Sequence, residues 1–145
     1  MRSPRQFSFC AALAATAALL AFAAGALAME YKIPPQTKCA ECGMGINPKS
    51  PYVCLAVTKS GRFLYFDEPG EMLVHIQKMT DIKDVRVRDF STGQWVDGRA
   101  AYYVKSKEFK TPMGWGIAAF ASLKDARAKG NALPWSGAFS LLSDN

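Results

Sequence analysis

From Pro51 onward the chain switches between two hydrophobic periods. Tyr52-Val53-Cys54-Leu55-Ala56-Val57-Thr58 is apolar and β-branched, Lys59-Ser60-Gly61 interrupts it, and Arg62-Phe63-Leu64-Tyr65-Phe66 resumes it. Two short runs parted by a Gly-containing turn predict a β-hairpin. The period then lengthens. Met72, Leu73, Ile76 and Met79 recur at helical spacing, Pro69 suits a first turn, and Asp67 or Glu68 is placed to cap. A helix is expected over about 69–79. After a turn at Asp81 to Lys83, Val85-Arg86-Val87-Arg88-Asp89-Phe90 alternates as a half-exposed strand.

Ser91-Thr92-Gly93 breaks the pattern, and Gln94 to Arg99 carries the chain onward. Ala100 to Val104 predicts a strand, Lys105 to Pro112 a polar connection, and Trp115 to Phe120 a weaker strand. Ser122-Leu123-Lys124-Asp125 has the form of a capping box, and the helix it opens should end near Lys129, before Gly130. A short closing strand is expected at Ala138 to Leu142. The order β-β-α-β thus occurs twice, with Phe66-Asp67 and Phe120-Ala121 in matching positions. The expected fold class is α+β: two similar ββαβ halves, about 38–90 and 94–145, in one compact mature domain.

The N-terminus follows another rule. Arg2 and Arg5 precede an almost wholly apolar run from Phe7 to Phe22, and Ala26-Leu27-Ala28 offers small residues for cleavage. This predicts an export signal, 1–28, cut after about Ala28. No Arg-Arg pair supports the twin-arginine route. Cys10 stands at the wrong end of the run for lipidation, and Met29 occupies the position a lipidated Cys would take. A soluble periplasmic protein is expected; the alternative is an uncleaved segment acting as a membrane anchor, since the apolar run approaches spanning length. Glu30 to Lys38, with Pro34-Pro35, reads as an extended arm.

Loss of Arg2 and Arg5 lowers the formal charge from +6 to +4. The remaining Lys and Arg are scattered, without the basic stripe and interleaved aromatics of a nucleic-acid binder. Of four cysteines, Cys10 leaves with the signal, so Cys39, Cys42 and Cys54 remain. Odd thiols in an oxidising compartment do not form a simple disulfide framework. A metal or a redox role are the two candidates.

The densest chemistry lies in Cys39-Ala40-Glu41-Cys42-Gly43-Met44-Gly45, ahead of Asn47-Pro48. Thiolate and thioether donors suit Cu(I), whereas Zn(II) has little use for Met. Gly43, Gly45 and Pro48 predict a turning loop. A thioredoxin-like site would instead open a helix after the first Cys, lowering its pKa. No His follows Cys42, as haem attachment would need, and no second Cys-x-x-Cys completes a zinc ribbon. Metal binding is the preferred reading; thiol-disulfide exchange, a structural disulfide and zinc are the alternatives.

Met44 is a candidate ligand by its place in the Gly-rich loop. Met113, between Pro112 and Gly114, is a second; the competing reading is a Met buried behind Trp115. If the halves pack with matching loops at one end, Met113 could face the Cys loop. Cys54 alternates within a strand and reads as core. His75 reads as a hydrogen-bonded helix-flank residue, and Asp67 as a helix cap more than a ligand. No nucleophile-His-acid set or phosphate-cradling Gly loop is present, and no enzyme is expected.

Taken together, Cys39-x-x-Cys42-Gly43-Met44, Phe66-Asp67, Ala101-Tyr102-Tyr103-Val104, Thr111-Pro112-Met113-Gly114-x-Gly116 and Ala119-Phe120 resemble the NosL family. The resemblance covers essentially the whole mature chain. These accessory proteins are encoded with nitrous oxide reductase. The resemblance implies a periplasmic Cu(I) chaperone that helps build copper centres, with two β-β-α-β halves. Its copper-binding positions carry onto Cys39, Cys42, Met44 and Met113. The implied partner is a copper-accepting protein, nitrous oxide reductase or its assembly factors. One departure is that family members are usually lipoproteins, and this chain lacks the lipidated Cys. The alternatives to a chaperone are a periplasmic Cys-x-x-Cys redox protein and a non-catalytic interaction module with a structural metal or disulfide.

Overall fold

Alternation along β1 (Cys54–Thr58) sends Cys54 and Ala56 to one face and Leu55 to the other. β1 is the centre of its sheet, which explains why both faces are apolar. Antiparallel β2 (Phe63–Phe66) pairs Cys54 with Phe66, and β3 (Ile82–Arg88) pairs Cys54 with Val87. β4 (Trp95–Asp97) adds an edge, giving the order β2-β1-β3-β4. The computed structural model describes residues 30–143. The export segment with Cys10 and the Ala28 cleavage position lie outside the described residues.

The second sheet is built the same way. β5 (Tyr102–Lys105) is central, with antiparallel β6 (Ile117–Phe120) on one side and β7 (Leu133–Pro134) on the other. Both central strands therefore pair with the strand that follows and with the strand beyond the next helix, here α1 (Pro69–Ile76) and α2 (Leu123–Arg127). The expected β-β-α-β order occurs in each sheet. Several details differ from expectation, among them α1, which ends at Ile76 and not near Met79. Ile82, placed in a turn by its neighbours, already belongs to β3, and β4 forms where only an onward connection was foreseen.

The closing strand at Ala138 to Leu142 is also corrected. Trp135–Ala138 is a short helix, α3, and Phe139–Leu142 continues as a 3-10 turn. Ala138 and Leu141 are buried and three residues apart, so one helical face closes the core. A five-residue apolar run is too short for periodicity to separate strand from helix. The strand pairing falls to Leu133–Pro134 instead.

One core lies between the sheets. Cys54, Ala56, Phe66, Val85 and Val87 meet Tyr103, Ile117 and Ala119 across it, with Met72, Leu73 and Ile76 of α1. The outer face of the second sheet is covered by α2 through Ala126, and by Phe109. The outer face of the first is covered by the N-terminal arm, whose Tyr31 and Ile33 pack with Val53, Leu55 and Trp95. The Trp95 indole N–H also donates to the Tyr31 carbonyl at 3.1 Å. Buried Asp89 joins the halves: it accepts from the Ala121 N–H at 3.0 Å and from the Thr92 hydroxyl at 2.6 Å. No helix among the described residues is long and apolar enough to cross a membrane.

The halves approach each other closely at Gly70, in the first turn of α1. A Cβ there would lie 2.2 Å from Cγ of Trp115. Trp115 is therefore not the start of a strand; its ring rests on the helix backbone. Gly70→Ala should displace that ring and destabilise the domain by about 1–3 kcal/mol. Thermal unfolding followed by circular dichroism should show a Tm lower by roughly 4 °C or more, and an unchanged Tm would remove this contact from the account.

Candidate metal centre

Cys39 to Gly45 forms the turning loop that its glycines predict. The Cys39 N–H donates to the Met44 carbonyl at 2.8 Å, and the Gly43 N–H to the Cys39 carbonyl at 2.9 Å. Gly43 has φ +75°, so the chain reverses immediately after the second thiol in a conformation glycine adopts freely. Lys38 and Gly45 bridge at the base of the loop. The Ala40 N–H donates to the Tyr65 carbonyl at 2.8 Å, fixing the loop to β2.

A side-chain latch fixes the loop to α1. Glu41 accepts from Nδ1 of His75 at 2.6 Å and lies 3.5 Å from Nζ of Lys78. The hydrogen bond with His75, aided by Lys78, holds the Glu41 carboxyl below its ordinary value. His75 in turn packs against Phe66, with ring centroids 5.3 Å apart. Its expected helix-flank, hydrogen-bonded role holds, and its partner belongs to the Cys loop.

Beneath the loop, Phe66-Asp67-Glu68-Pro69-Gly70-Glu71 leads from β2 into α1. All three acids are buried, Glu68 completely. Each receives a different donor. Sγ of Cys42 donates to Oδ2 of Asp67 at 3.7 Å. The Met113 N–H donates to Oε1 of Glu68 at 2.5 Å. The Trp115 indole N–H donates to Oε1 of Glu71 at 2.8 Å. Burial raises the Glu68 carboxyl above its ordinary value, opposed by its hydrogen bonds with Thr111 and the Met113 backbone.

The expectation that Asp67 caps the helix is corrected. Glu68 stands at the N-cap position with extended backbone, and its side chain makes no cap hydrogen bond. Asp67 faces the thiols instead. Donor atoms of Cys39, Cys42, Asp67 and Glu71 all lie within 4.8 Å of one another. Oδ1 of Asp67 is buried and has no hydrogen-bond partner.

All three described cysteines are free thiols. Cys39 is buried, and its pKa is pushed up to about 12 by desolvation, against backbone hydrogen bonds from Cys42, Asp67 and Glu41. Cys42 is half-buried. Met44 and Met113 are exposed, at 54% and 43%. Met44 belongs to the same loop as the thiols. Met113 sits on a loop that Glu68 and Glu71 pin to the start of α1, and it is not the buried residue behind Trp115. Cys54 is completely buried in the core, as its strand position predicts, with Sγ donating to the Tyr52 carbonyl at 3.2 Å.

Sequence reasoning missed Glu71 and credited Glu68 only with capping. Acids in a first helical turn ordinarily complement the helix dipole. The available signal was that Glu71 directly precedes Met72 and Leu73, on the stretch that the helical period buries.

The arrangement offers two thiols and two carboxylates to one small volume, with a thioether on each of two adjacent loops. Such a donor set has the chemistry to hold a cation, with soft sulfur donors and hard oxygen donors side by side. A family model for NosL matches residues 30–130. Among solved structures, the copper chaperone NosL from Shewanella denitrificans matches with a TM-score of 0.66 at 21% identity, covering 75% of this chain and 94% of that one. No curated protein matches the chain. The family model spans well over half of the chain, and the chain belongs to the NosL family.

Proposed function

We propose that this chain is an extracytoplasmic Cu(I)-binding metallochaperone. Cys39 and Cys42 are its thiolate ligands, and Met44 and Met113 supply thioethers. Copper is the cargo, passed to a copper-accepting protein, with nitrous oxide reductase or its assembly factors as the client. The location is the periplasm, after removal of the signal near Ala28. The single observation that carries the reading is the pair of free thiols side by side, one buried and one half-buried, with exposed Met44 in the same loop. Family membership and the copper chaperone among the matching structures support it.

The geometry weighs against thiol-disulfide exchange. An exchange cysteine is activated by a lowered pKa at a helix start. Cys39 is instead pushed up to about 12, and the segment after Cys42 is a loop. Met44 and Met113 would also be idle in a redox protein. The reading is of a binding protein that holds copper with few, displaceable ligands.

Titration of the reduced protein against a chromophoric Cu(I) chelator should give about one Cu(I) per chain. Cys39→Ser and Cys42→Ser should each weaken binding by more than the roughly 10–100-fold that outer-shell changes cost. Met44→Leu and Met113→Leu should weaken it by about tenfold or more. Unchanged affinity in both thiol variants would sink the proposal.

Binding should also depend on pH. Because the Cys39 thiol holds its proton up to about 12, copper must displace that proton at neutral pH. Apparent affinity should rise roughly tenfold per pH unit from this proton alone between about pH 6 and 8. A flat profile would exclude Cys39 as a thiolate ligand.

A further inference from the structure

The two halves share a sheet plan but differ in the length of their first connection. Residues 59–62 join β1 to β2, whereas residues 106–116 join β5 to β6. A hairpin closes with the shorter link, so the extra residues are not needed to pair the strands. They are folded all the same. The Ser106 N–H donates to the Gly116 carbonyl at 2.8 Å, the Gly116 N–H to the Thr111 hydroxyl at 2.9 Å and the Phe109 N–H to the Ser106 carbonyl at 3.2 Å. A Cβ at Gly116, whose φ is +64°, would lie 2.8 Å from the Ser106 carbonyl oxygen, so the two arms of the loop touch there. Folded in this way, the loop borders an open groove of about 520 Å³.

Phe109 and Trp115 give the groove apolar surface, and Lys107 and Lys110 stand exposed along it. Lys105 lines it as well, with its Nζ on the Leu141 carbonyl at 2.9 Å. No carboxylate lines it; Glu108, the one acid in the loop, points no oxygen into it. Neither Lys107 nor Lys110 has an ion-pair partner among the described residues. The Lys110 Nζ donates instead to the Lys107 carbonyl at 3.0 Å. The imbalance extends beyond the loop. Residues 30–97 carry nine Lys and Arg against nine Asp and Glu, and residues 98–145 carry seven against three. All of the +4 formal charge after the export segment therefore falls on the half that holds the groove.

We propose that this groove is the docking site for an acidic, partly apolar segment of the copper-accepting partner. The inference rests on the copper reading for that partner's role. Charge sets the partner's sign, because ammonium groups without carboxylate partners attract an acidic chain and steer its approach. Shape sets its class. A concave, partly apolar lining fits a protein segment better than the broad surface of a lipid bilayer. Position sets the purpose. Residues 111–116 supply much of the lining and also carry Met113, which is exposed and held by Glu68. A partner seated in the groove therefore meets the loop that bears one of the two exposed thioethers. None of Cys39, Cys42, Met44 and Met113 lines the groove, so docking leaves the copper ligands in place.

The test uses the full chain, reduced and metal-free, and a short synthetic peptide of alternating glutamate and leucine, with its glutamine counterpart as control. The acidic peptide should shift the amide NMR resonances of residues 105–116, and the control should not. Lys107→Glu combined with Lys110→Glu should lower acidic-peptide affinity by about tenfold or more, the corresponding Gln pair should lower it less, and added salt should weaken wild-type binding. Lys124→Glu combined with Lys129→Glu makes the same charge change at exposed positions and should have little effect. An equal loss there would overturn the proposal, because net charge alone would then explain binding. No binding by the wild type, or shifts confined to other residues, would overturn it too. Vesicles of equal parts phosphatidylglycerol and phosphatidylcholine that bind through Lys107 and Lys110, when the peptide does not, would replace the partner with a membrane surface. The Lys107 and Lys110 variants should keep wild-type Cu(I) affinity, and a loss would overturn the separation of groove from copper site. Because peptide binding is read without metal, its failure leaves the copper titration standing. Failure of that titration would remove the partner's copper role and leave the groove.

Discussion

Three buried carboxylates at the start of α1 hold two loops of the molecule together. Asp67 takes the Cys42 thiol, Glu68 takes the Met113 N–H, and Glu71 takes the Trp115 indole. One six-residue segment therefore receives the Cys loop from its own half and the Thr111–Gly116 loop from the other. Burying three acids together is unfavourable unless each is partnered, so each loop is held by a group that the fold cannot leave unpaired. The positive end of the helix dipole lowers the cost of collecting negative charge there. This one segment ties the Met113 loop to the same element that receives the Cys42 thiol.

Comparison of the two halves shows how far this arrangement departs from ordinary helix capping. With Phe66 matched to Phe120, Asp67 falls on Ala121, Glu68 on Ser122 and Glu71 on Asp125. In the second half Ser122 caps α2 conventionally, accepting from the Asp125 N–H at 3.3 Å, and Ala121 and Asp125 are exposed. In the first half the corresponding positions are buried, and the cap bond is absent. Both sheets place the same strand at the centre with the same neighbours in sequence order. The architecture is alike on both sides, and the thiols and buried acids are confined to one of them.

This contrast explains what the sequence made legible. The apolar, β-branched run at 52–58, the period-two alternation at 85–90, the Ser122 capping box and the helical spacing of Met72, Leu73 and Ile76 are local signals, and each element formed. The Cys loop was legible for the same reason, since its donors are neighbours in the chain and Gly43 announces the turn. The acids were not. Local rules assign Asp67 and Glu68 to capping and Glu71 to the dipole, and only packing against residues 42, 113 and 115 overrides them. The misassigned end, Ala138 to Leu142, failed differently. Its length carries too little periodicity, and the β7 pairing with Tyr103 depends on Leu133.

Met44 and Met113 lie at the surface and Cys42 is half-buried, whereas Cys39, Asp67 and Glu71 are all buried, at 3%, 4% and 6%. An entering ion, on the copper reading, meets the exposed thioethers and Cys42 before buried Cys39. On the copper reading, that order suits transfer: a partner can replace the exposed thioethers first, while the buried thiol keeps hold. Protonation works in the same direction. A thiol whose pKa lies near 12 takes its proton back readily at neutral pH, so release of copper from Cys39 is favoured as soon as the outer ligands have been displaced. The desolvation that makes Cys39 a poor redox nucleophile is thus compatible with a site built to give its ion away.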